Sequence, residues 1–594
     1  MHESPAMKHH RSGIAALRVV LSLLLVALAA VLAACGGGGG TPYTGVTIRP
    51  LSTDFTSRKA VAYSPYRTAA NEAGLPAEVI TKTMIKEDLD LLLAAGFRAI
   101  RLFDSSDKVA RQTLEVIRDN NLNIKVQLGA FVLGSSESAS RAEIARCVAL
   151  ANAFPDIVLA VSVGNETMVS WAFNRIAPPL MADYIRSVRS QITQPVTTDD
   201  NYAFWASAPT IITNEIDYAA LHTYANLDTW FDPTRWEWKR RDVPAAQRAV
   251  AMMDAAMAET RRQYQEARDF LDRKGLSYIP IIVGETGWNA VDVGRQKFRA
   301  HPVNQKMYLD RLQAWAAEGR AGGNAPKQVF YFEAFDEPWK QGDDKWGLFN
   351  VQRQARYAIQ ALNPPGSVFG SATWTWEPVI AANDADGNGV YSDADATYFQ
   401  PPVVNAEVTA STYTLYSDTP AGPSELRPSG LRWDAFDGTT AAFPEVAGIF
   451  GPGDANNSLR ITPQPASFGW GLLRQSPTGV TENLAGYAAS GRLSFLVSTT
   501  YPGKIEIGIS SDTQDREAQE AYLQIGPGDY GYCNTGAWCS VSIPLRDFQA
   551  VNPRLDLSLV LSRFVIADRY AFTGKPASAG FTNPVFIDAV RWTK

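Results

Sequence analysis

Between residues 59 and 360, eight short apolar segments alternate with longer segments of helical periodicity, and this alternation restricts the fold more than any other feature. The predicted strands are 60–63, 99–103, 124–128, 158–163, 196–198, 218–222, 279–283 and 329–332. Strands buried on both faces appear as near-continuous apolar runs, as these do. The predicted helices include 83–95, which is followed by Gly96, and 245–274. The pattern predicts an α/β fold with a closed (β/α)₈ TIM barrel over residues 58–366. An open doubly wound sheet is the alternative, but no glycine-rich phosphate motif follows the first strand.

The composition changes after the Asn-Pro-Pro-Gly run at 363–366. Residues 367–402 are acidic and rich in turn formers, which indicates a linker. Residues 403–594 alternate polar and apolar side chains between Gly, Pro and Asn punctuation, which predicts an all-β jelly-roll sandwich. The ending 585–591 (Val-Phe-Ile-Asp-Ala-Val-Arg) resembles galactose-binding-like domains. Trp433, Trp470 and Trp538 are candidate sugar platforms there, although a purely structural module remains an open alternative.

The first 35 residues have the composition of a targeting segment. Lys8, Arg11 and Arg18 precede an apolar run at 19–34 that is too short for a membrane-spanning helix. The run ends in Leu-Ala-Ala and Cys35, which resembles a bacterial lipoprotein signal peptide with Cys35 as the lipidated residue. We expect an exported protein anchored to the outer membrane by its lipid, with 36–57 as a glycine-rich tether. Ordinary secretion with cleavage nearby is the alternative.

The charge and the cysteine and histidine inventories exclude several classes of function. A formal net charge of −6 without a basic block argues against a nucleic-acid partner. Beyond the targeting segment only His222 and His301 remain, so a multi-histidine metal centre is excluded, and no Gly-x-Ser-x-Gly elbow is present. In an oxidising compartment Cys533 and Cys539 are close enough along the chain to form a disulfide, whereas Cys147 lies in an apolar helical run. We therefore expect catalysis without a cofactor. We also expect a monomer, on which these inventories have no bearing.

Two glutamates lie at the ends of predicted barrel strands, each shortly after a glycine. Glu166 closes the run Val-Gly-Asn-Glu at the end of strand four, and Glu285 follows Val-Gly at the end of strand seven. The carboxyl ends of all barrel strands meet at one mouth, where catalytic residues of such barrels lie. Glycoside cleavage with retention needs two carboxyl groups about 5–5.5 Å apart, one as acid/base and one as nucleophile. The pair therefore predicts a retaining glycosidase.

Five motifs together resemble glycoside hydrolase family 17, over roughly residues 58–360. They are 62–66 (Ala-Tyr-Ser-Pro-Tyr), 101–104 (Arg-Leu-Phe-Asp), 163–166 (Val-Gly-Asn-Glu), 284–288 (Gly-Glu-Thr-Gly-Trp) and 346–349 (Trp-Gly-Leu-Phe). The resemblance implies a β-1,3-glucan substrate, Glu166 as acid/base and Glu285 as nucleophile. It also implies that Asn165 contacts the sugar 2-hydroxyl and that Tyr224 lies beside the nucleophile. The further substrate-binding candidates are Tyr63, Arg101, Trp288, Glu333 and Trp339, with Trp171, Trp205, Trp230, Trp236 and Trp238 as additional aromatic candidates.

A separate motif at 384–395 matches the calcium-loop pattern, with Asp in place of the usual Glu at position twelve. Its candidate ligands are Asp384, Asp386, Asn388, the Val390 carbonyl, Ser392 and Asp395. Gly389 supplies the sharp turn. We expect a structural Ca²⁺ there, and a solvated, turn-rich linker is the alternative.

The leading functional hypothesis is double-displacement cleavage of β-1,3-glucan. The catalytic pair leaves open whether water or another glucan accepts the sugar, so a β-1,3-glucanosyltransferase is an alternative. Two further hypotheses are a related retaining glycosidase acting on another β-glycan and a non-catalytic glucan-binding lipoprotein.

Overall fold

The computed structural model describes residues 47–227, 236–292, 296–340, 345–360, 362–417, 431–435, 441–442, 445–447, 457–464, 469–475, 480–569 and 582–594. The predicted targeting segment with Cys35, most of the tether, and Trp230 lie outside these residues. The chain divides into two compact units, one up to Phe399 and one from Gln400 onwards. Among the helices in the described ranges, none combines the length and the apolar character that crossing a bilayer requires.

The first unit is a closed barrel of eight parallel strands, as the sequence predicted. The strands are β1 Ala60–Ala62, β2 Ala99–Arg101, β3 Lys125–Ala130, β4 Val158–Asn165, β5 Val196–Asn201, β6 Ala219–His222, β7 Ile281–Thr286 and β8 Val329–Tyr331. Each strand pairs with the next, and β8 pairs with β1 through the Ala60–Phe330 register. The functional side chains at the strand ends therefore share one mouth of the barrel.

Helices surround the barrel between its strands. They are Thr53–Thr56, Lys82–Ala94, Gln112–Asp119, Glu137–Ala153, Pro178–Arg189, Tyr202–Trp205, Thr210–Thr213, Ala245–Arg273, Pro302–Arg320 and Tyr357–Gln360. Local capping sets several of their ends. The Thr81 and Ser136 side chains accept hydrogen bonds from backbone N–H groups in the first turns that follow them. Gly96 has φ +84°, the left-handed conformation that stops the Lys82–Ala94 helix at low cost.

Strands β4, β5 and β7 extend further than the sequence pattern predicted. The prediction ended β5 at Thr198, because the residues that follow are polar, but the strand continues through Asp199 and Asp200 to Asn201. Both aspartates are fully buried inside the barrel mouth. Their carboxylates accept hydrogen bonds there, from Arg101 and Gln127 to Asp199 and from backbone N–H groups to Asp200. The end of β5 is therefore buried through hydrogen bonds between polar groups, and a prediction based on apolar residues could not detect it.

The segment expected to be a linker belongs to the barrel unit as far as Phe399. It contains the short hairpin of β9 Val368–Phe369 and β10 Ala372–Thr373. Trp374 and Tyr391 are buried in the hydrophobic core of the barrel unit. Large aromatic side chains at these two positions provide the apolar surface that holds an otherwise turn-rich segment in place.

The second unit is an antiparallel β-sandwich, as predicted. Its strands are β11 Thr412–Tyr416, β12 Arg432–Ala435, β13 Ala441–Ala442, β14 Glu445–Ala447, β15 Asn457–Pro463, β16 Gly469–Gln475, β17 Arg492–Thr499, β18 Ile505–Ser511, β19 Gln519–Ile525, β20 Trp538–Pro544, β21 Val560–Arg569 and β22 Val585–Thr593. One sheet has the order β13-β15-β22-β17-β20, with β11 against β22 and β14 against β15, and the other has the order β12-β16-β21-β18-β19. The α-helix Leu545–Val551 lies between β20 and β21.

The sandwich contains the disulfide between Cys533 and Cys539, whose Cα atoms lie 6.0 Å apart. Cys147, in the barrel unit, is a buried free thiol. Among the aromatic candidates, Trp470 is fully buried and its indole N–H donates to Tyr501 Oη at 3.0 Å. The interpretation of Trp470 as a sugar platform is therefore wrong, because none of its ring surface is exposed. Trp433 packs edge-on against Tyr416 and Phe564.

Candidate active site

Glu285 lies at the end of β7, at the bottom of the barrel mouth. Its side chain is 8% exposed. One carboxylate oxygen accepts a hydrogen bond from Arg101 Nη1 at 2.5 Å and the other from Tyr224 Oη at 2.9 Å. Burial alone would raise the pKa of Glu285, but the positive charges of His222 and Arg101 and these two hydrogen bonds outweigh it, so the pKa is lowered. Glu285 is therefore ionised, as a nucleophile must be.

A side chain at Gly284 would not fit. A Cβ there would overlap Asp199 Oδ1, which is fully buried beneath the site. The glycine before Glu285 therefore lets β7 approach the Asp199 carboxylate closely. The same glycine drew attention to Glu285 in the sequence.

Glu166 directly follows β4 and has an uncommon backbone conformation. Its φ is +46°, and that of Gly164 is +85°. The Glu166 backbone N–H donates to the Asp199 carbonyl at 2.9 Å, which fixes the turn to β5. The side chain is 34% exposed, so this carboxyl group reaches the solvent side of the mouth while Glu285 remains beneath it.

His222 lies between the two glutamates. Its Nδ1 is 2.8 Å from Glu166 Oε1 and 3.6 Å from Glu285 Oε2. One carboxylate oxygen from each glutamate and a ring nitrogen of His222 all lie within 4.8 Å of one another. Such proximity agrees with the separation of about 5–5.5 Å typical of retaining glycosidases and leaves no room for a water between the carboxyl groups.

Burial would lower the pKa of His222, but the Glu285 carboxylate, the hydrogen bond to Glu166 and the Glu166 charge together raise it to about 9. The imidazole is therefore protonated at neutral pH and donates to Glu166. Sequence analysis used His222 only to exclude a multi-histidine metal centre and did not predict this contact. The available signal was its position at the end of β6, the same rule that selected the two glutamates.

Arg101, at the end of β2, connects the polar groups beneath the site. Its guanidinium donates to Asp199 at 3.1 Å, to Glu285 and to Asn165 Oδ1 at 2.6 Å. Because Arg101 is almost completely buried, it orients these side chains and does not reach the cleft, which corrects its assignment as a substrate contact. Asn165 has its oxygen engaged by Arg101, which leaves its Nδ2 group to donate to a ligand.

A cleft of about 680 Å³ opens above the glutamates. Of the predicted substrate-binding residues, Tyr63, Asn165, Tyr224 and Trp339 line it together with both glutamates, and so does the aromatic candidate Trp171. Tyr63 lies at the wall, with its hydroxyl donating to Asp88 at 3.1 Å.

Trp288 does not reach the cleft. It has no exposed surface, its indole N–H donates to the Arg299 carbonyl at 2.9 Å, and it packs against Trp236 and Tyr308. Trp205 and Trp236 are also buried. These tryptophans are core residues, and their interpretation as sugar platforms is wrong. Sequence position alone failed here because a ring just after a strand can turn into the helical layer as well as into the mouth.

A buried lysine with two carboxyl groups forms a second polar cluster, after β8. Lys340 contacts Glu333 at 3.1 Å and also pairs with Glu337. Burial raises the pKa of Glu333 well above its usual value. For Glu337 burial acts in the same direction, but Lys340 and hydrogen bonds outweigh it and lower the pKa to about 2. Glu337 and Lys340 line the cleft, whereas Glu333 does not. The sequence prediction named Glu333 and missed Lys340.

The predicted calcium loop brings three carboxylates together away from the cleft. One oxygen from each of Asp384, Asp386 and Asp395 lies within 4.8 Å of the others. Gly387 and Gly389 have φ +68° and +81°, so the loop makes the sharp turns that the pattern requires. Carboxylate, amide and hydroxyl oxygens form the set of hard donors that Ca²⁺ prefers, and the residues present fit that ion. Asp395 also accepts hydrogen bonds from the backbone N–H groups of Ala385 and Ser392.

Comparison with known proteins agrees with the barrel. Residues 60–351, which include all eight strands and both glutamates, match the family described as the BtgE/BtgC glycoside hydrolase domain. A "Glucan 1,3-beta-glucosidase" of Arthroderma benhamiae is 25% identical over 293 residues, which cover 46% of this chain and 82% of that protein. The "Probable glucan endo-1,3-beta-glucosidase btgC" of Aspergillus clavatus is 24% identical, over 45% of this chain and 38% of that protein.

Among solved structures, an endo-laminarinase from Formosa Hel1_33_131 is 25% identical with a TM-score of 0.46. The comparison covers 52% of this chain and 87% of that one.

Proposed function

We propose that this chain is a retaining glycosidase that cleaves β-1,3-glucan by double displacement. The observation that carries the proposal is the placement of Glu166 and Glu285, with carboxylate oxygens within 4.8 Å of each other in one cleft. The matched glycoside hydrolase family and the β-1,3-glucan-cleaving relatives support the substrate. The finer assignment to glycoside hydrolase family 17 is part of the proposal and is supported by the five motifs.

In the first step an ionised Glu285 oxygen bonds to the anomeric carbon while the bond from that carbon to the glycosidic oxygen breaks. Glu166 transfers its proton to the departing oxygen. Because His222 holds Glu166 Oε1, the other oxygen of Glu166 is the one that carries this proton. The developing positive charge at the sugar ring lies over Glu285, which Arg101 and Tyr224 hold in place.

In the second step the ester to Glu285 breaks. Glu166, now a carboxylate, removes a proton from the attacking hydroxyl group, and that oxygen bonds to the anomeric carbon. Water as the attacker gives hydrolysis, whereas a glucan hydroxyl gives transfer. The catalytic pair serves both reactions equally.

Laminarin digestion tests the proposal, with products separated by length. The wild-type chain should degrade laminarin, and Glu285→Gln should lose at least about a thousandfold in kcat, because the nucleophile is absent. Glu166→Ala should lose activity on laminarin, because the departing oxygen is no longer protonated. On an activated aryl glycoside, whose leaving group needs no acid, azide should restore turnover by attacking the Glu285 ester in place of water. The buried Glu143→Gln, outside the cleft, is a control for changing a carboxyl group. Full turnover by Glu285→Gln would contradict the role of Glu285 as nucleophile. A wild-type chain that binds laminarin without degrading it would instead favour a non-catalytic glucan-binding protein.

A panel of polysaccharides separates the substrate from its alternatives. We expect cleavage of laminarin and mixed-linkage glucan and no cleavage of mannan or cellulose. Cleavage of another β-glycan in preference to laminarin would keep the mechanism and replace the substrate.

We also propose that the 384–395 loop binds a structural Ca²⁺. Asp384, Asp386, Asn388, the Val390 carbonyl, Ser392 and Asp395 would supply its oxygen ligands. Titration with Ca²⁺ should raise the thermal midpoint of the wild-type chain, and Asp384→Ala should abolish that rise. An equal rise in both chains would contradict the site.

The remaining proposals concern location and assembly. Export and lipid attachment at Cys35 are supported by the run Leu-Ala-Ala-Cys and the five glycines after it. Labelling of the cells with palmitate should mark the wild-type chain and not Cys35→Ala. We propose an outer-membrane location and a monomeric protein, which fractionation and light scattering test.

A further inference from the structure

Two large aromatic side chains stand exposed in the loop after β4. Trp171 is 58% exposed and Phe173 is 91% exposed. Both line the catalytic cleft. Large apolar side chains that lie together on a surface mark a binding site more often than isolated ones do. Because both side chains line the cleft, a chain bound in the cleft can extend over them.

The loop that presents them is held at several points. The Ile176 backbone N–H donates to the Thr167 carbonyl at 2.8 Å and closes the loop. The Met168 N–H donates to Asp200 Oδ2 at 2.8 Å. The Trp171–Phe173 platform is therefore presented by a fixed backbone and does not depend on a ligand to order it.

Asn174 fixes the other end of this loop to the loop after β3. Its side-chain oxygen accepts from the Gly134 N–H and its nitrogen donates to the Val132 carbonyl, each at 2.8 Å. A Cβ at Gly134 would overlap the Arg175 carbonyl oxygen, so the two loops approach as closely as a glycine permits. Such preorganisation lowers the entropy cost of binding.

The position of Trp171 and Phe173 in the barrel indicates which part of the substrate they can contact. In the closed order from β1 to β8, β4 and β8 lie on opposite sides of the barrel. Glu285 is on β7, next to β8, whose following loop supplies Trp339 and Lys340 to the cleft. Glu166, which protonates the departing oxygen, is on β4. The sugar bonded to Glu285 therefore lies toward β8, and the departing chain lies toward the loop with Trp171 and Phe173.

We propose that Trp171 and Phe173 form the platform for the leaving chain and, once that chain has departed, for an acceptor glucan. This inference rests on the proposed function. The apolar face of a glucose ring stacks on an aromatic ring, whereas water gains nothing from it. An occupied platform places a glucan hydroxyl beside Glu166 when the Glu285 ester is ready to react. The platform thereby favours transfer of the sugar to another glucan over its transfer to water.

β-Laminaribiosyl fluoride separates the two halves of the cleft, because its leaving group is a single atom that cannot touch the platform. The variants are Trp171→Ala, Phe173→Ala and the double variant. The matched control is Tyr278→Ala, which removes an exposed aromatic ring on the segment before β7, outside the cleft. Fluoride release is followed with and without laminaritetraose as acceptor, the products are sized, and the KM for laminarihexaose is measured.

We expect the ratio of transfer to hydrolysis to fall about two- to tenfold for each ring removed, with a matching rise in the KM for laminarihexaose. Fluoride release into water alone should fall less than transfer to laminaritetraose does, and Tyr278→Ala should behave as wild type in every measurement. An unchanged ratio and KM in the double variant would overturn the platform. Trp171→Leu and Phe173→Leu replace the alanine variants if these fail to fold. A wild-type chain that neither releases fluoride nor cleaves laminarin would instead overturn the proposed function.

Discussion

His222 Nδ1 lies 2.8 Å from Glu166 and 3.6 Å from Glu285, so one imidazole contacts both carboxylates of the catalytic pair. Asp199 approaches the other ring nitrogen at 3.9 Å, and the Arg101 guanidinium opposes the positive charge from beneath. The protonated imidazole stabilises the ionised form of each group that it contacts, which is Glu285 before the reaction and Glu166 after Glu166 has given up its proton. The positive charge of His222 therefore contributes to the stability of the folded site.

The stability of the barrel should fall at alkaline pH through His222. Its folded pKa of about 9 lies above the ordinary value of 6.5. The stabilisation is therefore fully present below about pH 6.5 and is lost as the pH rises through about 9. Urea unfolding at pH 6.5 and pH 9.5 should show a larger loss for wild type than for His222→Asn, by on the order of 1 kcal/mol or more.

His301 provides a control for that experiment, because its pKa is shifted in the opposite direction from that of His222. Burial lowers its pKa, so the folded barrel favours the neutral ring, and stability is lost as the pH falls below about 6.5. His301→Asn should therefore leave the alkaline loss unchanged. Equal alkaline loss in wild type and His222→Asn would contradict the assignment.

Tyr224→Phe should impair the nucleophile without removing it. The variant deletes the hydroxyl that donates to Glu285 Oε2 at 2.9 Å and preserves the ring. Hydrogen bonds to charged groups contribute about 1.5–3 kcal/mol, so kcat/KM on laminarin should fall about ten- to hundredfold. Tyr278→Phe is the matched control, and a loss below twofold in Tyr224→Phe would contradict the role of the hydroxyl.

The two carboxyl groups around Lys340 should respond differently to amide substitution. Burial raises the pKa of Glu333 and so favours its neutral form, and Glu333→Gln should therefore lower the free energy of unfolding less than Glu337→Gln does. Glu337 is ionised and pairs with Lys340, so Glu337→Gln leaves a buried lysine without its counter-charge and should cost about 3–5 kcal/mol. Chemical denaturation at pH 7 measures both, and the reverse order would show that the proton lies on Glu337.

Gly284→Ala should damage the site through packing. The added Cβ would overlap Asp199 Oδ1 beneath Glu285, which forces β7 or the carboxylate to move. Overpacking of this kind costs about 1–3 kcal/mol, and a displaced nucleophile should also lower kcat. In Gly74→Ala the nearest atom to the new Cβ is 3.5 Å away, which makes it the control for a glycine substitution in the same unit. Wild-type stability and kcat in Gly284→Ala would contradict the close approach.

The barrel and the glutamates were predictable from the sequence because both depend on a repeated pattern. Eight apolar runs define the strands, and the rule that functional groups lie at strand ends gives a short list that contains Glu166 and Glu285. The need of glycoside cleavage for two carboxyl groups selects them from that list. The same rule would have selected Asp199 and Asp200, but their polarity ended the predicted β5 too early. Arg101 was found, although its burial beneath the site was not.

The orientation of individual aromatic rings was not predictable. Trp171 and Trp288 both follow a barrel strand, yet one is exposed in the cleft and the other has no exposed surface. The difference depends on which neighbours the loop contacts, such as Asn174 for the first and Arg299 for the second. Partners of that kind are distant in sequence and leave no local periodicity.

The anomeric form of the first product tests the central claim most directly. Proton NMR during the first minutes of laminari-oligosaccharide cleavage distinguishes the β-anomer from the α-anomer before mutarotation. Because the carboxylate oxygens of Glu166 and Glu285 lie within 4.8 Å of each other, the account predicts the β-anomer first, by way of the Glu285 ester. Initial formation of the α-anomer would mean that water attacks directly from the opposite face, which would contradict the double displacement.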